Sequence, residues 1–372
     1  MVLAIITHVP HGRIGNQYFA YSPYVREMNI WLKYVDEVIV VAPMQSTERS
    51  DIHLNYDHSK IDFRVIPKFD LLTLPAIIKS IFVFPKIAFQ IFVAMQKATH
   101  IHLRCPGNVG LIACLVQIFF PNKIKTAKYA GNWDPNSNQP WSYRLQRWIL
   151  SNTLLTKNMQ VLVYGEWEGS SKNIKPFFTA SYKEDDKVNI EPKLLDGAIS
   201  AVYVGTLSAG KQPLYSIQLI ESLRERGVDI SLSLYGDGAE LEHLRTYIES
   251  RKLHDFVFLR GNQTQDMVKK AYQESHFVLL PSVSEGWPKV IAEGMFWGCV
   301  PIATKVSCVP DMLDYGNRGL LLTLDFTKDV ELIYELLQHP IKYQQKASQG
   351  IAWSRNYTLD RFESEIKNLL LE

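Results

Sequence analysis

The sequence predicts an α/β fold built from two Rossmann-like domains, and three observations support this prediction. Short apolar stretches alternate with stretches at helical spacing along most of the chain, which is the pattern of parallel sheets covered by helices on both faces. The chain has 372 residues, more than one hydrophobic core usually holds. A polar, charged segment without apolar periodicity, residues 183–197, lies near the middle and suits an interdomain linker.

The first domain is predicted over residues 1–190. A glycine-containing turn over residues 8–16 follows the first strand and opens a helix that is expected to end at Leu32. Phosphates often approach Rossmann-like domains at this turn, but its GxxG pattern fits a plain strand-to-helix turn equally well. The predicted strands are Val2–Thr7, Glu37–Ala42, Ile61–Pro67, His100–Leu103, Lys125–Ala130 and Gln160–Tyr164.

The second domain is predicted over residues 191–354, where the same alternation begins afresh. Residues 353–370 predict the last helix. The predicted strands are Ser200–Val204, His276–Leu280, Pro301–Thr304 and Arg318–Leu322, together with two that run into glycine turns within 231–238 and 256–262.

The composition predicts an ordinary soluble, globular protein. A net charge of +2 gives no indication of nucleic-acid binding, but residues 1–190 hold 21 Lys and Arg against 14 Asp and Glu. The first half is therefore expected to be drawn to anionic surfaces. Four cysteines without CxxC spacing predict neither disulfides nor a zinc site. The apolar run at the amino terminus is too short for a signal peptide.

Residues 71–95 form the most apolar part of the sequence. Prolines and lysines interrupt this segment, so it lacks the roughly 18 uncharged residues of a transmembrane helix. The favoured interpretation is a pair of helices packed on the sheet. The alternative is an interfacial, lipid-facing segment, because aromatic residues stand among lysines here: Phe82, Phe84, Phe89 and Phe92 with Lys79, Lys86 and Lys97.

A compact unit of sequence lies between residues 282 and 304. Pro288 is predicted to be the first residue of a helix, because a helix start needs no amide hydrogen at that position. The free amides of residues 289–291 would then point past the preceding strand, and helix starts of this kind bind phosphate. Glu285 would flank the phosphate, and Glu293 could accept hydrogen bonds from sugar hydroxyls. Taken singly, either glutamate is more simply explained by the helix dipole or by solvation.

In combination these residues resemble a known motif. Two glutamates separated by seven residues, with EGWP at the first and a GxxPIAT strand after the second, are similar to the nucleotide-sugar motif of retaining glycosyltransferases of family 4. The resemblance implies that the first glutamate and the amides after it hold the donor sugar, and that the second glutamate holds the ribose. The donor-binding residues implied here are Glu285, Gly286, Trp287, Pro288, Lys289, Val290 and Glu293.

Loop 205–211 is expected to meet the donor diphosphate. Lys211 stands at the start of the next helix, where a lysine is a natural diphosphate partner. The family usually has an arginine just after the first glycine of this loop, and this chain has Thr206 there. The resemblance implies further donor contacts at Gly205, at Gly15 and Asn16 beside the diphosphate, and at Arg260 and Gly261 near the base.

Strand ends of the first domain supply the candidates for acceptor binding, because ligands of open parallel sheets lie beyond these ends. Family members often have a donor-binding histidine after the strand at 125–130, and this sequence has AGNWD instead. For each candidate, a hydrogen bond within its own loop is an equally good interpretation. The candidates are His11, Arg104 and Asn108 for the acceptor, and Asn132 and Asp134, with Glu285 and Lys211, for catalysis.

The resemblance implies the GT-B arrangement, in which two Rossmann-like domains face across a cleft and the last helix, residues 355–372, packs back on the first. The expected reaction transfers a sugar, with retention, from a UDP- or GDP-linked donor to a glycan or lipid-linked acceptor of bacterial surface polysaccharide or glycoconjugate synthesis. No DxD triplet occurs, so no metal or other cofactor is expected, and Lys211 with helix dipoles would offset the leaving-group charge. The expected location is the cytoplasm, including its face of the plasma membrane.

Two alternative functions stay open. A nucleotide-sugar 2-epimerase shares this architecture, but it would release an altered nucleotide sugar without an acceptor and would need more acid/base carboxylates. A catalytically inert membrane adaptor would account for the departures from the family pattern, and it predicts nucleotide binding without turnover.

Overall fold

The computed structural model describes residues 1–45, 49–50, 52–67 and 74–371, including all of their side chains except those of 74–81. Residues 71–73 and the side chain of Lys79, which belong to the predicted aromatic segment, lie outside the described part. The chain divides into two compact units, residues 1–177 with 363–372, and residues 178–362. The polar segment 183–197 falls inside the second unit.

The first unit is built on a parallel sheet. Its strands are β1 (Val2–Ile6), β2 (Gly12–Ile14), β3 (Gln17–Tyr21), β4 (Glu37–Pro43), β5 (His53–Asn55), β6 (Ile61–Ile66), β7 (His100–Cys105), β8 (Ile124–Tyr129), β9 (Met159–Tyr164) and β10 (Ile174–Phe177). Seven of them form the sheet in the order β10-β9-β8-β7-β1-β4-β6. The direction of winding changes between β1 and β7, and ligands of such sheets bind outside the strand ends at this point.

Among the described residues, four helices lie wholly within this unit: α1 (Ser22–Leu32), α2 (Leu74–Lys97), α3 (Asn108–Val116) and α4 (Trp141–Ser151). The α2 segment is one helix with Pro85 inside it, whereas two helices were the favoured expectation. The proline removes one backbone hydrogen bond, and burial of the flanking Ile87 and Ile91, both 0% exposed, offsets that loss. Among the described residues, no helix combines the length and apolar character needed to cross a bilayer.

Residues 12–21 form a β-hairpin and not the start of the predicted helix. Strands β2 and β3 pair antiparallel, and β5 pairs with the other edge of β3. Gly15 takes the left-handed conformation, with φ of 57°, that a tight turn requires. The run from Gln17 to Tyr21 is rich in aromatic side chains, which favour strands. The helix therefore begins only at Ser22, with Pro23 in its first turn.

The second unit repeats the Rossmann-like architecture. A six-stranded parallel sheet has the order β13-β12-β11-β14-β15-β16, and winding reverses between β11 and β14. Its strands are β11 (Ile199–Val204), β12 (Ile230–Tyr235), β13 (Val257–Gly261), β14 (Phe277–Leu280), β15 (Val300–Thr304) and β16 (Leu320–Leu322). Its helices are α5 (Pro213–Glu225), α6 (Leu241–Arg251), α7 (Gln265–Glu274), α8 (Lys289–Phe296), α9 (Val309–Met312), α10 (Phe326–Leu337), α11 (Pro340–Ser354) and α12 (Leu359–Leu371).

The final helix, α12, begins in the second unit, and its residues from 363 onward belong to the first. The predicted α/β class, with two Rossmann-like domains built on parallel sheets, is confirmed.

Candidate functional site

The candidate site of the second unit lies where β11 and β14 end side by side. Both strands are central and parallel, so their carboxyl ends meet at one edge of the sheet. The loop after β11 runs to Gln212, and the loop after β14 runs to Pro288. A backbone hydrogen bond of 2.9 Å from the Val283 amide to the Gly210 carbonyl joins the two loops. The sequence-predicted donor residues of both loops are thereby held next to each other.

Lys211 and Glu285 form an ion pair at this edge. The lysine Nζ lies 2.5 Å from Oε1 of Glu285. The glutamate side chain is only 7% exposed, whereas the lysine side chain is 33% exposed. Burial and, to a smaller extent, the Glu285 carboxylate raise the pKa of the nearby Tyr203 hydroxyl. The pair thus presents a cation to solvent and keeps its carboxylate inside.

A third loop, after β12, fixes the first one in place. Gly236 donates its amide to Gly261 while Gly205 donates to Tyr235, at 2.9 Å in each case. A Cβ atom on Gly236 would lie 1.9 Å from the Gly205 carbonyl oxygen. Only glycine allows the two backbones to approach so closely. The loop that carries Lys211 is therefore positioned by backbone hydrogen bonds and by this close backbone contact.

Helix α8 begins one residue later than predicted. Pro288 is its N-cap, and Lys289 is its first residue. The Ile291 amide donates to the Pro288 carbonyl at 3.0 Å, which corrects the expectation that this amide would be free for a ligand. The loop before the helix is held by Ser307 and Cys308, which both donate to the Gly286 carbonyl at 3.2 Å.

Glu293 is held by two hydroxyl groups of its own unit. Ser181 donates to Oε1, and Tyr272 donates to Oε2 at 3.1 Å. The pocket beside Ser181 and Glu293 has a volume of about 10 Å³, which is room for roughly one water. Each of the two carboxylate oxygens thus accepts one hydroxyl hydrogen bond and can accept a further hydrogen bond from another donor.

Two further predicted donor residues are engaged in aromatic contacts. The Trp287 ring packs against Trp353 and Tyr357, with centroid distances of 6.1 and 5.4 Å. Its side chain thus belongs to an aromatic cluster, and its backbone is the part left for a donor. The Arg260 guanidinium lies 4.6 Å from the centre of the Phe258 ring and is exposed at the end of β13. Thr206 is exposed at the end of β11.

Sequence reasoning gave no role to two serines that the structure places at these positions. Ser282 is fully buried just after β14, and its hydroxyl has no hydrogen-bond partner among the described residues. Such a buried hydroxyl needs a partner, and it lies three residues before Glu285. Ser181 holds Glu293 from 112 residues away. A serine carries no charge or spacing signal that could have revealed either position.

In the first unit, Arg104 lies in a buried charge cluster. Its guanidinium contacts Glu27 at 2.5 Å, and Lys128 lies 3.2 Å from the same carboxylate. The Arg104 side chain is 11% exposed and stands at the carboxyl end of β7. Two of the described cations therefore contact the same carboxylate. Asn108, the other candidate of this strand end, is the first residue of α3.

His11 is a core histidine, contrary to the expectation of acceptor contact. The side chain is 0% exposed, with Nδ1 2.7 Å from the Val9 carbonyl and Nε2 2.8 Å from the Tyr56 hydroxyl. Burial lowers the pKa of His11 to about 4. Both ring nitrogens are therefore occupied within the unit, and the ring is neutral at physiological pH.

The remaining candidates of the first unit stabilise their own turns. Asn132 Oδ1 accepts from the Asp134 amide at 2.9 Å, and Asp134 Oδ1 accepts from the Asn136 amide at 2.8 Å. These are the loop hydrogen bonds that were the alternative interpretation. Gly15 and Asn16 form the exposed tip of the hairpin, so no helix start lies directly behind them.

Within the described ranges, no group of three or more His, Cys, Asp and Glu side chains is arranged to hold a metal ion.

Comparison with known proteins relates the second unit to sugar transfer. Residues 185–351 match the family model described as glycosyl transferases group 1. A lipopolysaccharide 1,2-N-acetylglucosaminetransferase of Salmonella typhimurium is 24% identical over 208 residues, which cover 52% of this chain and 55% of the relative. The amylovoran biosynthesis glycosyltransferase AmsK of Erwinia amylovora is 26% identical over 145 residues, 37% of this chain and 36% of the relative. In four other curated relatives the match spans 32% to 47% of the relative's length.

Solved structures extend the likeness to the whole chain at the level of fold. The Anabaena HepE protein, in complex with UDP and glucose, superimposes with a TM-score of 0.68 and 14% identity, over 100% of this chain and 99% of that one. Structural neighbours of this kind are GT-B glycosyltransferases. The two Rossmann-like units are therefore those of a GT-B protein.

Proposed function

We propose that the protein is a retaining glycosyltransferase of family 4 that moves a sugar from a UDP- or GDP-linked donor to a glycan of bacterial surface polysaccharide or glycoconjugate synthesis. The observation that carries the proposal is the Lys211–Glu285 pair at the carboxyl edge of the second sheet. The match to group 1 glycosyltransferases spans both residues. Retention and family 4 rest on the resemblance of the motif from Glu285 to Glu293.

The geometry suits a donor diphosphate at this edge. Lys211 is one-third exposed, so it can turn its remaining N–H groups to a phosphate without leaving Glu285. The start of α8 adds the positive end of a helix dipole. Glu285 would accept hydrogen bonds from the sugar, and Glu293 from the ribose. The HepE structure, which contains UDP, is the precedent for a uridine nucleotide on this fold.

The proposed chemistry depends on the charge of the leaving group. When the bond between the anomeric carbon and the diphosphate oxygen breaks, negative charge grows on that oxygen, and a bond forms between the same carbon and the oxygen of the acceptor hydroxyl. The proton of that hydroxyl passes to the departing diphosphate oxygen. A fixed cation at the oxygen stabilises the transition state more than the bound donor. We assign that role to Lys211, and we expect turnover without a divalent metal.

The first test is a binding and turnover screen. Protection against thermal unfolding should be seen with UDP or GDP and their sugars, because a ligand that binds only the folded state stabilises it. Transfer to a glycan acceptor is then followed by mass spectrometry, with and without EDTA. Release of an altered nucleotide sugar without acceptor would indicate the epimerase, and binding without any turnover would indicate the inert adaptor. Activity that EDTA abolishes would contradict the metal-independent reaction.

A matched pair of variants tests the site itself. Glu285→Gln should abolish donor protection and transfer. Glu221→Gln is the control, because Glu221 is also a mostly buried carboxylate, with a 10% exposed side chain paired to Arg251 on α6. The control should lose stability but keep transfer. Equal loss of transfer in both variants would mean that the effect comes from folding alone.

We further propose that the acceptor is lipid-linked, so that the reaction takes place at the cytoplasmic face of the plasma membrane. The relatives named for lipopolysaccharide and amylovoran synthesis support this choice. Transfer rates with one glycan, free and attached to a lipid carrier, test it. A preference for the free glycan would contradict it.

A further inference from the structure

We infer that the outer surface of helices α2, α3 and α4 in the first unit docks on an anionic membrane. This inference stands on the surface alone and does not depend on the proposed reaction. We call this surface the aromatic face and define it by residues Phe82, Phe89, Phe92, Leu115, Phe119, Trp141 and Trp148.

The three helices cover the same side of the sheet. Their inward residues, among them Ile91 of α2, Ile112 of α3 and Ile149 of α4, belong to one hydrophobic core with strands β1, β4, β7, β8 and β9. The core therefore fixes which side of each helix points away from the sheet. What lies on that outer side is determined by helical spacing.

Helix α2 carries aromatic residues on its outer side. Phe82 and Phe89 are seven residues apart, so they lie on one stripe of the helix, and they are 79% and 64% exposed. Phe92 lies three residues after Phe89 and is 38% exposed. Ile87 and Ile91, on the opposite side, are fully buried. The interfacial interpretation of this segment thus agrees with the side chains that the structure describes.

The aromatic face continues onto the turn that follows α3 and onto α4, which the sequence did not suggest. The Phe92 ring lies 5.0 Å from that of Phe120, and the neighbouring Phe119 is 74% exposed. On α4, Trp141 and Trp148 are seven residues apart and 61% and 60% exposed. Clusters of exposed apolar side chains mark interaction sites, and tryptophan is typical of the membrane interface.

The charge around the aromatic face identifies the partner. Between residues 71 and 165 the sequence has ten Lys and Arg and a single acidic residue, Asp134. Four of the cations are exposed on or beside these helices: Lys86, Lys97, Arg144 and Lys157. Such a surface attracts anionic headgroups and repels a second copy of itself. Aromatic side chains among lysines are what a segment lying in the plane of the interface requires.

The test uses the full chain and vesicles of phosphatidylglycerol and phosphatidylcholine in equal parts. Sedimentation should show binding at low salt that weakens at least tenfold at high salt or with phosphatidylcholine alone, because the charge contribution is screened. A chain that stays in the supernatant with the anionic vesicles at low salt would overturn the inference.

Variants distinguish this surface from general adhesion. Phe82→Ser with Phe89→Ser should reduce vesicle binding at least tenfold. The control is Tyr315→Ser with Ile341→Ser, since these second-unit residues are each 72% exposed, and it should bind as the unchanged chain does. Circular dichroism and thermal unfolding confirm that each variant is folded. Equal effects of the two double variants would overturn the inference.

Charge reversal supplies an independent readout. Lys86→Glu with Arg144→Glu should weaken binding by more than the roughly fivefold expected for each cation removed, whereas Lys270→Glu with Lys342→Glu in the second unit should not. Sedimentation equilibrium in solution tests the alternative that the aromatic face binds a second copy of the chain. A dimer that Phe89→Ser dissociates would show this alternative and would refute docking on a membrane. Turnover with a soluble acceptor should be unchanged in all these variants, so failure of docking and failure of the reaction are separable.

Discussion

Lys211→Met is expected to slow the chemical step far more than it weakens the fold. Methionine keeps most of the apolar stem of the lysine and removes its charge. In the proposed reaction, the lysine lies where the leaving diphosphate gains charge, so its effect is greatest in the transition state. A preorganised charge partner of this kind contributes about 100-fold or more to turnover, and a loss of that size is the expected result.

The effect on stability follows from the exposure of the two side chains. Removing one partner of a buried ion pair costs about 3–5 kcal/mol. Here Glu285 is 7% exposed but Lys211 is 33% exposed, so solvent screens the pair and part of the loss is avoided. We expect the free energy of unfolding to fall by about 1–2 kcal/mol. A domain of ordinary stability, about 5–15 kcal/mol, stays folded after such a loss.

The assay compares initial rates at saturating donor with urea denaturation. Lys269 is the matched control, because its Nζ lies 2.7 Å from Asp186 and its side chain is 29% exposed. Asp186 is 29% exposed, so Lys269→Met should lower stability by less than Lys211→Met does and leave turnover unchanged. The double variant Lys211→Met with Glu285→Gln removes both charges, and it should regain stability without regaining turnover. Near-normal turnover in Lys211→Met, or turnover that returns with stability in the double variant, would refute the assigned role.

Three further predictions concern other residues. Glu293→Gln should weaken donor affinity by about 1.5–3 kcal/mol, the value of hydrogen bonds to a charged group, and calorimetry that finds unchanged affinity would contradict ribose binding. The pKa of His11 is about 4 in the folded protein and about 6.5 in the unfolded chain. The neutral ring therefore contributes fully to the free energy of unfolding above pH 6.5, and this contribution is lost as the pH falls toward 4, with a loss of roughly 2 kcal/mol at pH 5. Urea denaturation of His11→Asn should show a pH dependence of stability that is smaller by that amount. Gly236→Ala should lower the free energy of unfolding by at least about 2 kcal/mol, because its Cβ would lie 1.9 Å from the Gly205 carbonyl oxygen. Gly210→Ala is the control and should be tolerated, because its Cβ would have its nearest contact at 3.9 Å. Equal denaturation midpoints of the two variants would contradict this prediction and would show that the loops shift to make room for the Cβ atom.

Sequence patterns were sufficient to predict that Lys211 and Glu285 lie close together, although 74 residues separate them in the chain. Each follows a buried strand in an alternating α/β pattern, and parallel strands end at a common edge. The position after a strand therefore carries three-dimensional information. The same reasoning placed Arg104 at a strand end, where the structure has it.

The partners of side chains could not be predicted in this way. Arg104 meets Glu27 from 77 residues away, and a strand-end position does not tell which helix will supply a counter-charge. The hairpin at residues 12–21 was missed because a few aromatic residues satisfy both helical and strand patterns, and pairing with β5 decides between them. Tertiary contacts override local preference in such short segments.

The segment at 71–95 shows why burial was the hardest property to predict. Isoleucine and phenylalanine are both apolar, so the sequence does not indicate which stripe of the helix is exposed and which is buried. The structure separates them, because the core takes Ile87 and Ile91 and leaves Phe82 and Phe89 outside. Only the sheet beneath the helix determines that choice.

The contribution of the Lys211–Glu285 pair to the stability of the fold does not explain why the chain has this pair. A buried ion pair replaced by well-packed apolar residues is often no less stable, and the neighbouring Gly210–Val283 hydrogen bond already joins the two loops. The pair does hold a cation in a fixed place at the sheet edge before any ligand arrives. A preorganised charge needs no rearrangement when the reaction begins, and this advantage appears only if a charged ligand uses it. The arrangement is therefore better explained by the chemistry proposed for the edge than by the folding of the second unit.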